Sequence, residues 1–233
     1  MAKDAAIPAS KGWRDSLRPY LEPAPLAALF LGMSSGFPYA MIGATLTTRL
    51  AQDGIEKSSV TAFALTFLAY NLKWAWAPAI DRFRIPVLGH IGQRRSWLIL
   101  IGALVFLAVS ILGNLDPKAS LPAVALAAIA VGLAGATYDI VIDAYRIELL
   151  APEQLGTGSG MSQYGWRIGS AVAGAVALVV AERAGWGVAY MACAILVLPA
   201  IITGLVMGEP ERKIERHWPA YLSRAFYAIF IVS

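Results

Sequence analysis

Charge is scarce in this chain. Only 15% of its 233 residues are Asp, Glu, Lys or Arg, while 58% are hydrophobic, and the mean hydropathy is +0.62. Soluble domains carry about 25% charged residues, so the composition excludes an ordinary water-soluble enzyme or binding module and points into a membrane. Cysteine is nearly absent: Cys193 stands alone, so no disulfide can form within the chain, and its apolar surroundings make it a buried packing residue. Histidine is limited to His90 and His217, so no Cys/His cluster has metal-binding spacing, and no metal or cofactor is expected. No nucleophile–base pair lies inside the apolar segments, so the chain is not expected to be an enzyme. The arginine clusters are short and divided among loops, which speaks against a nucleic-acid partner. A cleaved leader is not expected either. Met1–Glu22 is polar and mixed in charge, and the apolar segment that follows is too long for a signal peptide.

What is present is a series of long apolar runs. A transmembrane helix needs about 20 mostly apolar residues to cross about 30 Å of hydrocarbon. Six runs qualify: Pro25–Thr48, Ser59–Ile80, Ser96–Leu115, Leu121–Tyr145, Leu155–Ala181 and Trp186–Met207. The pattern predicts an all-α membrane protein with a six-helix bundle over 25–207. It predicts a tail over 1–24, a linker over 208–224 and the start of a seventh span over 225–233. Thirteen Lys and Arg residues fall on the side of the two ends, in the tail, the second-to-third loop, the fourth-to-fifth turn and the linker. Four, Arg49, Lys57, Lys118 and Arg183, fall on the other side. The positive-inside rule therefore predicts that both ends of the bundle are cytoplasmic.

Four charges lie within these runs, where each costs at least about 2.5–3.5 kcal/mol near the bilayer centre and so marks a pathway or an internal pair. Arg167 is about 18 Å beyond Leu155 by helix rise, close to mid-membrane. Lys73 sits in Asn71-Leu72-Lys73-Trp74, near enough to the cytoplasmic end for snorkelling to be the alternative reading. Asp139, Asp143 and Arg146 follow at i, i+4 and i+7 on one helix face. In an antiparallel hairpin turning at Ala151–Gln154, Asp139 falls level with Arg167. Lys73 and Arg167, with Gln163 and Tyr164 beside the latter, are the candidate substrate-binding residues for an anionic ligand. Asp139, Asp143 and Arg146 are the candidates for proton coupling or for ion pairs that lock helices. Buried charge on several spans points to a transporter, with protons, an anionic small molecule and the lipid bilayer as partners.

Small residues form a second pattern. Gly165, Gly169 and Ala173 recur every four residues, a surface for close helix packing. The first span carries Gly32-Met33-Ser34-Ser35-Gly36-Phe37-Pro38. It is read equally as a pathway-lining kink at Pro38 and as tolerated proline among packing residues. Between the second and third spans, Asp81, Arg82, Arg94 and Arg95 are the candidates for a cytoplasmic gate; the alternative is positive-inside charge alone.

The loop Asp81-Arg82…Gly92-Gln93-Arg94-Arg95 resembles the G-x-x-x-D-R-x-G-R-R signature of the major facilitator superfamily. Ala77 replaces the glycine, and the loop is longer before the arginine pair. More specifically, several stretches resemble the AmpG-type muropeptide permeases: Leu72-Lys73-Trp74-Ala75-Trp76-Ala77-Pro78, Gly92-Gln93-Arg94-Arg95-Ser96-Trp97, Ala136-Thr137-Tyr138-Asp139 through Arg146, and Tyr164-Gly165-Trp166-Arg167-Ile168-Gly169. The Gly32–Pro38 stretch adds a weaker match. The resemblance implies proton-driven import of anionic sugar-peptides, the anhydro-muropeptides, across the bacterial inner membrane for cell-wall recycling. It implies a fold of two six-helix halves with the substrate between them, of which this chain matches the N-terminal half; the C-terminal half is then the missing partner. Alternatives are an acetyl-CoA or other anionic-metabolite transporter of the same group, or a half-permease that serves only as a non-transporting membrane protein.

Overall fold

The computed structural model describes Trp13 and residues 17–56, 63–86 and 89–211, and all regular structure among these residues is helical. The first helix, α1, covers Pro23–Gln52. Pro23 suits the opening turn, where no backbone donor is needed. Pro38 lies inside the helix, but the break comes later, in a π-helical turn over Met41–Thr45. There Gly43 takes φ −89° and ψ −106°, a conformation that glycine adopts at little cost.

The second expected span is the least regular. Over 63–82 it is a chain of short pieces, Phe63–Phe67, Leu68–Leu72, Lys73–Ala75 and Ala77–Arg82, together called α2. Pro78 supplies no backbone donor, and polar Asn71 and Lys73 interrupt the apolar run. Residues 59–62 of that expected span lie outside the described residues, as do residues 1–12 and 14–16 of the expected tail over 1–24, the linker beyond Glu211 and the start of a seventh span.

Helix α3 is Gln93–Asn114 and α4 is Leu121–Leu149, the latter opened by Ser120, whose hydroxyl accepts from Ala123 N–H. The last helical stretch, Pro152–Met207, has 56 residues, far more than one bilayer crossing needs. Gly185 divides it with φ 84° and ψ 164°. The arm before the break, 155–184, is α5; the arm after it, 186–207, is α6. Four stretches among the described residues are long and apolar enough to cross a membrane: α1, α3, α4 and Pro152–Met207.

Glycine sets the closest contact. Helices α1 and α5 run parallel and interlock, and a Cβ on Gly32 or Gly36 would lie 2.1 or 2.2 Å from the backbone oxygen of Ser162 or Trp166. In return, a Cβ on Gly165 or Gly169 would lie 2.0 or 2.1 Å from that of Leu29 or Met33. The small-residue face of α5 thus packs backbone against backbone, and the first-span glycines serve the same contact. Helix α6 has its own weak point at the 3₁₀ turn Ile195–Val197. Tyr138 Oη donates to Val197 O (3.0 Å), and Ala200 N–H donates to Ser34 Oγ (2.9 Å). Freed backbone groups in an apolar interior are thereby satisfied by neighbouring helices. Large apolar side chains such as Leu107, Leu126 and Val206 face outward, as a lipid solvent permits.

Replacing Gly169 with valine is expected to destabilise the bundle by more than the ~1–3 kcal/mol typical of overpacking, because the obstacle is backbone rather than a movable side chain. Gly174→Ala, on the same helix with nothing within 4 Å, is the control. Yield of monodisperse protein in detergent reads the result; equal yields would mean that α1 and α5 tolerate separation.

Candidate functional site

Four helices bring their polar residues to one cavity of about 260 Å³. Its lining includes Ser35 from α1, Lys73 from α2, Asp139, Asp143 and Arg146 from α4, and Ser162, Gln163 and Trp166 from α5. The interruption of α2 falls at this level: Lys73 opens the 3₁₀ turn that follows Leu72. Within the cavity, Lys73 Nζ and Ser35 Oγ both donate to the Asp139 carboxylate. Lys73 also lies 3.7 Å from Asp143. Arg146 donates to Asp143 Oδ1 (2.9 Å) and to Ser159 Oγ (3.2 Å). Two carboxylates and two cations form one chain of alternating charge, formally neutral, on the helix face that the i, i+4, i+7 spacing predicts.

The other expectations divide. Gln163 lines the cavity, while Tyr164 (64% exposed) and Arg167 do not. Arg167 is exposed and makes no hydrogen bond or ion pair among the described residues. An antiparallel hairpin predicts Asp139 level with Arg167, yet Asp139 is taken by Lys73 and Ser35. Residue counting does not give the rotation of α5: Gly165 and Gly169 face α1, and Arg167 is left exposed, outside the cavity lining. Lys73 does not snorkel, because two carboxylates hold it.

At one end of the bundle a second charged cluster forms. Arg94 is 5% exposed and makes a bidentate pair with Glu148, also 5% exposed, at 2.9 and 2.6 Å. Its remaining NH1 donates to Asp81 at 2.6 Å. Gln93 Nε2 donates to Asp81 O (2.9 Å). The carboxylate of Glu209 accepts the Arg94 and Arg95 backbone N–H groups at 2.8 and 3.1 Å. Of the expected gate residues, Asp81 and Arg94 meet directly and Arg95 joins through its backbone; Arg82 is exposed. Glu148 and Glu209 escaped the sequence reading. An acid at the end of an apolar helix, facing a basic loop, was the available signal for Glu148. Nothing in the sequence pairs Glu209 with a loop more than 100 residues earlier.

Arg49 is a third missed charge. It is 5% exposed, donates to Leu112 O (3.0 Å) and to Leu115 O at the end of α3, and lies over the Trp186 and Tyr190 rings at 6.0 and 5.7 Å. Carbonyls in the last turn of a helix have no partner within it, and Arg49 supplies one.

With this geometry in place, comparison with known proteins is informative. Residues 26–231 match the Major Facilitator Superfamily. A putative transporter AmpG 4 of Rickettsia felis is 37% identical over 188 residues, 80% of this chain and 45% of that protein. The anhydromuropeptide permease of Escherichia coli K12 is 34% identical over 199 residues, 85% of this chain and 40% of that protein. The chain therefore spans less than half the length of these curated relatives. No solved structure matches it. The apolar helices and the membership of its relatives make it a multi-pass protein of the bacterial inner membrane. By its sequence match, its helical architecture and its intramembrane charges, the chain belongs to the Major Facilitator Superfamily and is similar to the AmpG-type permeases within it.

Proposed function

We propose that the chain forms the N-terminal, six-helix half of a proton-coupled importer of anhydro-muropeptides, with both ends of the bundle in the cytoplasm and a second half supplied beyond the linker. The observation that carries this reading is the neutral chain Lys73–Asp139–Asp143–Arg146 in a cavity among apolar helices. Protonating either carboxylate leaves the set with one net positive charge, which favours an anionic ligand. Binding of that anion in turn favours the proton, so the two are linked in free energy. Arg167 lies one helical turn beyond Gln163, without a partner among the described residues, and offers a further cation to a substrate carboxylate. The Asp81–Arg94–Glu148 cluster closes the cytoplasmic end in one state of the rocking cycle. The Escherichia coli relative, an anhydromuropeptide permease, supplies the substrate class.

Uptake of labelled anhydro-muropeptide into cells expressing the full-length gene tests the proposal. Arg167→Ala is expected to reduce uptake at least tenfold, with unchanged membrane insertion measured by fractionation. Uptake at the wild-type rate would remove Arg167 from substrate binding. A wild-type protein that transports no anhydro-muropeptide would overturn the proposal itself.

A further inference from the structure

An aromatic group adjoins the charged cavity: Phe67 and Tyr70 pack against the bundle core, while Tyr39 and Trp166 stand outside it. Trp166 lines the cavity itself. Its ring lies 5.6 Å from that of Tyr39, which in turn lies 5.3 Å from Tyr70 and 4.5 Å from Phe67. Tyr39 stands one helical turn beyond Ser35 on α1, and Tyr70 stands one turn before Lys73 on α2. The aromatic set is therefore stacked on the charged set along the bundle, on the side away from the Asp81–Arg94 cluster. Tyr39 stays 37% exposed despite its three ring contacts, so a face of the group remains open. The Tyr70 hydroxyl is buried with no hydrogen-bond partner among the described residues, and it occupies the space that a side chain at Gly135 would take.

We infer that Tyr39 and Trp166 form a pyranose-stacking platform, a sugar subsite beside the charged cavity that Trp166 lines. This rests on the proposed function and assigns the two parts of a sugar-peptide to two layers. The apolar C–H face of a sugar ring lies on the aromatic faces. The carboxylates of the ligand reach Lys73 and Arg146 in that cavity. Ligand sites in general combine an aromatic wall for affinity with a few polar groups for orientation, and here the two are separated by one helical turn.

The experiment is inhibition of labelled anhydro-muropeptide uptake by two partial ligands in cells expressing the full-length gene. One is the neutral disaccharide N,N′-diacetylchitobiose; the other is a free acidic tripeptide. Both are expected to compete in the wild type. Tyr39→Ala and Tyr39→Leu are expected to raise the inhibition constant of the disaccharide about tenfold, the scale of one lost aromatic contact with its burial. The constant for the tripeptide should stay within about twofold. Tyr39→Phe, which keeps the ring, should behave as the wild type. A disaccharide that does not compete in the wild type overturns the inference without needing any variant. So does a disaccharide constant that Tyr39→Leu leaves unchanged, or an equal loss for both ligands. Wild-type cells that take up no anhydro-muropeptide overturn the functional proposal beneath it, a result distinct from the other three.

Discussion

Lys73→Ala is expected to lower anhydro-muropeptide uptake roughly 30- to 100-fold in the full-length protein, because it strips the shared cation from two carboxylates. Lys73 lies between Asp139 and Asp143, which follow each other by one helical turn. Without it, two like charges one helical turn apart face each other with only Arg146 to offset them. Removing one partner of a fully buried pair costs about 3–5 kcal/mol. The side chains here are 33% and 17% exposed, so about 2–3 kcal/mol is the better estimate after allowing for solvent screening. Loss of that cation also disrupts the proposed linkage between proton and anion, so uptake in the variant should lose its dependence on external pH. Two measurements check this: initial uptake rate, and its profile between pH 5.5 and 8. A variant that keeps more than half the wild-type rate with an unchanged profile would reduce Lys73 to a packing residue. Lys73→Arg separates the causes further, since it retains charge while changing shape.

The sequence made the outlines of this site legible because intramembrane charge is conspicuous. Asp139, Asp143 and Arg146 share a face by spacing alone, and the structure puts them on one cavity with Lys73. The four-residue repeat of Gly165, Gly169 and Ala173 likewise announced a tight contact, and the facing helix proved to be α1. What stayed hidden depends on rotation and on long-range partners. Arg167 looked like the centre of the site because it is deep and alone, yet the glycine face that binds α1 turns it outside the cavity. The same constraint brings Trp166 in, one residue away. The irregularity of α2 was also not readable, since its composition passes for a span while Pro78 and the polar residues around Lys73 break its hydrogen bonding. Arg49 was counted only as a charge on the outer side, because nothing in its local sequence points to the open carbonyls of α3.

Arg94→Ala should have the largest effect on the fold's charged network, and its pairing with Glu148 decides whether that network is a gate or only a brace. Both side chains are about 5% exposed and joined by two parallel hydrogen bonds, the geometry in which arginine binds carboxylate most strongly. Cutting Arg94 back to alanine leaves the Glu148 carboxylate buried without its partner, at a cost of about 3–5 kcal/mol. It also removes the ion pair between Arg94 and Asp81. A drop of several degrees or more in the melting temperature of the detergent-solubilised protein is expected, together with loss of uptake. The double variant Arg94→Met with Glu148→Leu removes both charges and fills similar volume, and such exchanges are often neutral or stabilising. If the cluster merely braces the bundle, the double variant recovers both melting temperature and uptake. If it closes the cytoplasmic end in one state and opens in the other, melting temperature recovers while uptake does not. An apolar contact that never encounters water during the cycle has no reason to part, whereas an ion pair can exchange its partner for solvent when the end opens. Separation of the two readouts in the double variant is the expected result, and full recovery of both would remove Arg94 and Glu148 from the transport cycle.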